Sequence, residues 1–473
     1  MNKIYDIAII GAGINGICIA KNLDKNKYQI CLIETGGVEN LSNLHDYKIT
    51  GHPEGIKTVN DYKFGGGHNV WHGLLARLSS DEIDENIWCE TPEKMDQYYD
   101  QAEHYLGLDQ KVKKENERLI LNDLKKSNLA ELEYKIFHQV DVNFNQYDEL
   151  NKIKISGVHV FLNHSVVSLQ GDSENNGCYR VNSLNNIPIF ARKIILSSNA
   201  IYNSIILMRS NEIKFENKNV GKFLSDHPMG VIAKIKFKNK HRFPICLIRK
   251  KYNLNFAKIG FSIKDEELDL LHTFYMVPTL EKKFNQANTT IRKSLIKIRD
   301  SGLSFSLVMD IIKNIDMILF VISYKFGLMF KTKYADLLVV SEQNLSENNK
   351  VTLNENQEVV KNWTIDDKLL ESIANSAKQF SKLINSKYSV DSINILPKVN
   401  MMHELTSAAH LCCTTKMKNK STDGVVDGNL ELVGVKNIFV AGASVFPIAM
   451  SLNNTLTALA LTFKLINKLN SDN

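Results

Sequence analysis

The stretch YDIAIIGAGINGICIAKNL, residues 5–23, constrains the fold more than any other part of the chain. YDIAII is a short apolar run stopped by glycine, the pattern of a parallel strand buried on both faces. ICIAKNL continues at helical spacing, and YQICLIE (28–34) reads as a second buried strand. The three pieces make one βαβ unit. Between its first strand and its helix lie Gly11, Gly13 and Gly16 in G-x-G-x-x-G spacing, and Glu34 closes the second strand 23 residues after Gly11. The first glycine permits a tight turn, the second lets a pyrophosphate reach the backbone, and the third lets helix pack on strand. The helix N-terminus then offers free N–H groups and a positive dipole end to the phosphates. Glu34 is placed to accept hydrogen bonds from the adenosine ribose. These residues imply an ADP-containing dinucleotide and do not separate FAD from NAD.

Such a unit fills a small part of 473 residues, a length sufficient for about two to three domains. With 44% hydrophobic and 23% charged residues, the composition is that of a soluble globular protein. The 58 basic residues exceed the 52 acidic ones by six and are scattered, so nothing points to nucleic acid. Seven dispersed cysteines do not make a disulfide framework. The chain opens MNKIYDIAIIGAG, directly into a strand, and the expected location is cytoplasmic. The longest apolar stretch, 317–330, is interrupted by Lys325. A spanning helix needs about 20 nearly uncharged residues, so a buried helix is expected there, with peripheral membrane contact as the alternative.

Strand-like runs return at GVHVFLN, VVSL and ARKIILSS (191–198), and the last seventy residues give the strand NIFVAGASVF followed by the helix-like TLTALALTFKLINKL. Both ends of the chain therefore contribute to one nucleotide-binding domain, predicted at 1–228 and 401–473. A second domain, 229–400, is inserted between them.

HLCCTTKM, 410–417, is the other chemically suggestive stretch. His410 beside Cys412 and Cys413 reads as a metal ligand, half of a thiol–imidazole pair, a core histidine or a general base. Adjacent cysteines lack the C-x₂₋₄-C spacing of zinc ligands and no second pair follows, so no metal is expected. The eight residues do not choose among the rest.

Several further segments act together. FGGGHNVWHG (64–73), TPEKMDQYYDQAEHYLGL (91–108), ARKIILSSNAIYNSIILMRS (191–210), NVGKFLSDHP (219–228) and GVVDGNLELVGVKNIFVAGASVFPIAMSLNNTLTALAL (424–461) follow one another in a characteristic order. In order and spacing they resemble the glucose–methanol–choline (GMC) family of FAD-dependent oxidoreductases, above all its compact branch of sugar and polyol dehydrogenases and pyranose-oxidase-like enzymes. The resemblance covers 1–230 and 400–473; between them only the region around SEQNLSENNKVTL carries it. It implies an α/β fold: a Rossmann-type FAD-binding domain with an inserted α+β substrate-binding domain.

The resemblance also assigns roles. Gly66 falls in a second glycine turn near the flavin, Val166 where a valine backbone meets adenine, and Ala443, Asn454 and Thr455 where the C-terminal strand-to-helix turn touches the flavin. A helix starting near Thr455 would direct its N-terminus at the ring's C2 carbonyl. Val70 occupies the position at which some relatives carry a histidine bonded covalently to FAD, so non-covalent FAD is expected; His68 and His72 lie close by. His410, Thr414 and Met417 keep the register of the catalytic-histidine motif, making His410 the general base. Asn453, nine residues after Ser444, becomes the partner holding the substrate oxygen. The expected reaction is oxidation of a primary or secondary alcohol on a sugar, polyol or related polar natural product to a carbonyl. The expected partners are a small-molecule alcohol and an electron acceptor: oxygen, a quinone or another carrier. A flavin-binding electron-transfer protein and a lyase with structural FAD are the alternatives. The chain departs from the family at Cys413 and Asn199, where glycine is usual, at Lys416 for arginine, and at Asn454, where proline usually follows the catalytic asparagine.

Overall fold

The computed structural model describes residues 3–39, 48–52, 62–126, 132–140, 144–172, 177–213, 215, 217–241, 248–249, 256–279, 332–419 and 423–472. The apolar stretch 317–330 lies outside the described residues. Among those described, no helix is long and apolar enough to cross a membrane.

Ile7, Ala8, Ile9 and Ile10 are all buried, as a strand covered on both faces requires. Their strand, Ile4–Ile10, pairs in parallel with Ile30–Ile33 on one side and with Ile189–Leu196 on the other. His159–Phe161 extends the sheet beyond Ile30–Ile33, and Ile438–Val440 joins Ile189–Leu196, also in parallel. An antiparallel pair, Val166–Asp172 and Cys178–Ser183, completes the far edge. The two ends of the chain thus meet in one sheet. The C-terminal helix Asn454–Ser471 packs against the first helix, Ile14–Asn22, and against Pro92–Tyr105. Leu456, Leu459, Ala460, Leu461 and Leu465 are buried, and so are Thr457 and Thr462 between them, which marks a helix enclosed nearly all round.

A second, largely antiparallel sheet runs in the order Val390–Ile395, Pro228–His241, Thr332–Ser341, Leu270–Thr279, Phe256–Asp265, Tyr134–Gln139, Leu74–Leu75. Its last two strands come from the N-terminal part of the chain. Helix Asp367–Lys387 covers one face with Ile373, Ala377, Phe380 and Ile384, a 4-3-4 spacing that fixes one stripe toward the sheet. Phe380 stacks on Phe274 with ring centres 5.3 Å apart. Asp366 caps this helix by accepting from Leu369 N at 2.8 Å. A small third sheet joins Lys48–Gly51 to the hairpin Lys350–Leu353 and Val359–Trp363. The whole is a mixed α/β fold: a Rossmann-type sheet beside a sheet and helix of α+β character.

Candidate active site

The glycine loop shows which of its residues the fold itself demands. Gly11 has φ +102°, and a Cβ there would lie 2.5 Å from Ser197 O. A Cβ on Gly16 would lie 1.9 Å from Gly11 O. Gly13 is different: its backbone is extended and a Cβ would meet no protein atom within 4 Å. Helix Ile14–Asn22 begins there without a side-chain cap, which leaves its first N–H groups directed outward. Buried Glu34 accepts from Ala12 N at 2.8 Å and from Gly36 N at 3.0 Å, bracing the loop from behind. Gly65 N, in the second glycine turn, donates to Ala12 O at 2.8 Å and ties the two turns together.

One pocket connects these parts. Gly11, Gly13, Glu34, Gly66 and Val166 line it, and so do Ala409 and Leu411, the neighbours of His410. A free helix N-terminus, a glycine whose missing Cβ leaves room, and an acid on the wall fit the ADP half of FAD. Val70 ends the turn Gly66–Asn69 with 45% of its surface exposed. His68 packs instead on Phe144 and Trp71, with ring centres 4.3 and 5.4 Å away, and burial lowers its pKa to about 4.

Ala443 starts the short turn Ala443–Val445 that follows the strand Ile438–Val440. The segment after His410 runs alongside this turn: Cys413 N donates to Ala443 O at 3.2 Å, Thr415 N to Ser444 O at 2.9 Å and Met417 N to Val445 O at 2.9 Å. Asn453 is the N-cap of the C-terminal helix, Asn454 its first residue, and Thr455 lies in the first turn. Two stretches about thirty residues apart are thereby set edge to edge. Asn453 Nδ2 comes within 3.4 Å of His410 Nε2. With the amide N–H directed at it, Nε2 is the lone-pair nitrogen, and an oxygen lodged beside them is in reach of both groups. Burial, reinforced by His72, lowers the His410 pKa to about 4, so the imidazole is neutral at ordinary pH. His227 meets its ring edge-on, 5.2 Å between centres, and is itself lowered to about 3 by burial and by His410.

Three contributions escaped the sequence reading. Asp226, fully buried, accepts from four donors in or beside the His410 turn. Asn454 donates to His410 O at 2.5 Å, so the residue standing in the proline position grips the main-chain carbonyl of His410. Glu342 accepts from Ser451 N at 3.1 Å and Leu271 N at 2.8 Å, fastening the loop before Asn453 to the second sheet. Asp226 lies in the SDHP stretch, but an acid in a loop has no periodic signature that would assign it a partner.

Residues 346–462 match the sequence family described as GMC oxidoreductase. That match lies in the C-terminal part of the chain and spans less than half of it. Together with the fold, the match makes the chain an FAD-dependent oxidoreductase acting on CH–OH groups, a class that takes a small-molecule substrate and an electron acceptor. Among solved structures, the chain is similar to pyridoxine 4-oxidase from Mesorbium loti, with 13% identity, a TM-score of 0.60 and coverage of 98% of each chain. That likeness extends the shared fold over both sheets. No curated protein matches the chain.

Proposed function

We propose that this chain is a GMC oxidoreductase that oxidises a primary or secondary alcohol of a sugar, polyol or related polar natural product to a carbonyl, with His410 as the general base. The observation that carries this reading is the convergence of His410 Nε2 and Asn453 Nδ2 to 3.4 Å, with Ala409 and Leu411 on either side of His410 lining the same pocket as the glycine loop. Bound FAD would supply the acceptor for the hydride of the carbinol carbon. His410 takes the hydroxyl proton at Nε2, so the alcohol loses a hydride and a proton and the oxygen becomes a carbonyl. Asn453 holds that oxygen through its amide N–H without competing for the proton. The pKa near 4 keeps Nε2 free to accept; a positioned base contributes roughly 10²- to 10⁴-fold in rate.

Gly11, Gly13, Gly16, Glu34, Gly66 and Val166 are assigned to the ADP half of FAD, and Ala443, Asn454 and Thr455 to the flavin. Val70 lies at the family's attachment position, which favours non-covalent FAD. Residues 1–228 and 401–473 are assigned to FAD, 229–400 to the substrate side, and the location to the cytoplasm. Pyridoxine, the substrate that names the similar solved structure, carries primary alcohols and joins the candidate substrates.

The test is anaerobic mixing of the holoprotein with pyridoxine, benzyl alcohol, D-glucose, D-sorbitol and choline while following flavin absorbance at about 450 nm. At least one alcohol is expected to bleach the band, and His410→Ala to slow bleaching by about 10²-fold or more. Bleaching that proceeds unchanged in His410→Ala removes the base from His410; no bleaching by any alcohol removes the substrate class.

A further inference from the structure

The His410 peptide is held from both sides by buried polar side chains. One carboxylate oxygen of Asp226 accepts from His410 N at 3.0 Å and from His227 N at 2.6 Å; the other accepts from Ala409 N at 3.1 Å and from the Ser407 hydroxyl. On the other face, Asn454 Nδ2 donates to His410 O at 2.5 Å. Ala409 has φ +63°, a left-handed conformation that a non-glycine residue keeps only where its surroundings impose it. Four donors converging on two oxygens require an ionised carboxylate, which accepts only and offers about four lone-pair sites. None of these contacts involves the imidazole, so the acid acts on the main chain that carries the base.

We infer that Asp226 and Asn454 are positioning residues that clamp the His410 main chain, setting the imidazole against Asn453 at the reacting oxygen. This rests on the reading of His410 as the base. The clamp also accounts for the departure at 454: a proline there has no side-chain donor, and the asparagine supplies the second grip. Asp226→Asn is a sharp probe because both oxygens already take two donors. Whichever way the amide turns, its NH₂ faces two N–H or O–H groups and the turn is pushed open.

Two measurements test the clamp, one of them independent of any substrate. Crystal structures of FAD-loaded wild type and Asp226→Asn are expected to show the 407–410 turn displaced and the His410–Asn453 approach lost, with the glycine loop unchanged. An unmoved His410 overturns the inference. With the best alcohol of the panel above, Asp226→Asn is expected to slow flavin bleaching about 10- to 100-fold while substrate affinity and FAD content hold. In a His410→Gln background the same change is expected to cost under about threefold, because a residue acting through His410 has nothing left to position. Equal losses in both backgrounds overturn it. Should Asp226→Asn fail to fold, Asn454→Ala, which leaves the carboxylate in place, carries the crystallographic and the two-background comparisons with the same outcomes, each rate normalised to bound FAD because Asn454 is itself assigned to the flavin. If wild type bleaches with no alcohol, the proposed reaction fails and the crystallographic comparison alone decides the clamp.

Discussion

Single residues separate what the backbone needs from what a ligand needs. Gly13 is extended, and a Cβ there meets no protein atom within 4 Å, whereas Gly16 faces Gly11 O at 1.9 Å. Gly13→Ala is therefore expected to leave the apoprotein's melting temperature within about 1 °C of wild type while weakening FAD affinity at least about tenfold. Gly16→Ala is expected to destabilise the apoprotein by at least about 2 kcal/mol. Fluorescence titration with FAD and calorimetry on the apoprotein distinguish the two. The glycine fingerprint was legible because its spacing is itself geometry. The two lost glycines were legible only as departures: Asn199 at φ +62° and Cys413 at φ +69° still adopt the left-handed conformation. Asn199 tolerates it by accepting Ile201 N at 2.8 Å and Tyr202 N at 3.1 Å on its own side chain, so Asn199→Ala is expected to cost about 1–2 kcal/mol in urea unfolding and Asn199→Gly distinctly less. Asp226 was not legible at all, since three of its four donors come from a turn more than 180 residues further on.

Among elements, strands and helices with strict periodicity were readable and their junctions were not. IYDIAII and the C-terminal helix stand where apolar runs and the Asn453–Asn454 boundary put them. Tyr134–Gln139 lies at the end of a region whose composition favours helix, and it is a strand because Phe256–Asp265 pairs with it, a long-range choice that overrides local preference. Glu342, one residue beyond the strand Thr332–Ser341, is the clearest junction, holding the loop before Asn453 through Ser451 N. Burial pushes its pKa up to about 7. Because that value lies above the ordinary 4.5, the fold favours the protonated acid: the contribution is full below about 4.5 and is lost as pH rises through about 7. His68, His227, His272 and His410 are shifted the other way, to about 4, 3, 4 and 4, and lose their contributions only as pH falls below the ordinary 6.5 toward those values. Asp226 and Asp336, raised to about 6, have mostly titrated by neutrality, so Glu342 stands out among these groups between about pH 6 and 8. Wild type is expected to lose stability across that window, and Glu342→Gln to flatten the decline. Melting temperatures of both proteins at each pH check it; parallel slopes would remove Glu342 as the cause.

Across the whole molecule, the FAD assignment and the sheets divide the chain differently. The first sheet needs both ends of the chain, yet the second takes Leu74–Leu75 and Tyr134–Gln139 from the N-terminal part. Phe137 is buried in the core of the first sheet, while Tyr134 and Ile136 of the same strand pack against the core of the second. Glu342 adds a hydrogen-bonded link from the second sheet to the catalytic loop. No peptide cut separates two self-sufficient halves, and the expectation is one cooperative unfolding transition. Mass action then fixes what FAD does to it. At a hundred times Kd a ligand of the native state contributes about 2.7 kcal/mol. Unfolding entropy of about 2.1 cal/mol/K per residue makes this a rise of about 3 °C for a chain that melts as one. Scanning calorimetry of the apoprotein against rising FAD is expected to show a single peak moving by about that amount. Two peaks of which only one moves would mean that the inserted residues unfold by themselves, and that the strands crossing between the sheets contribute little to holding His410 and Asn453 together.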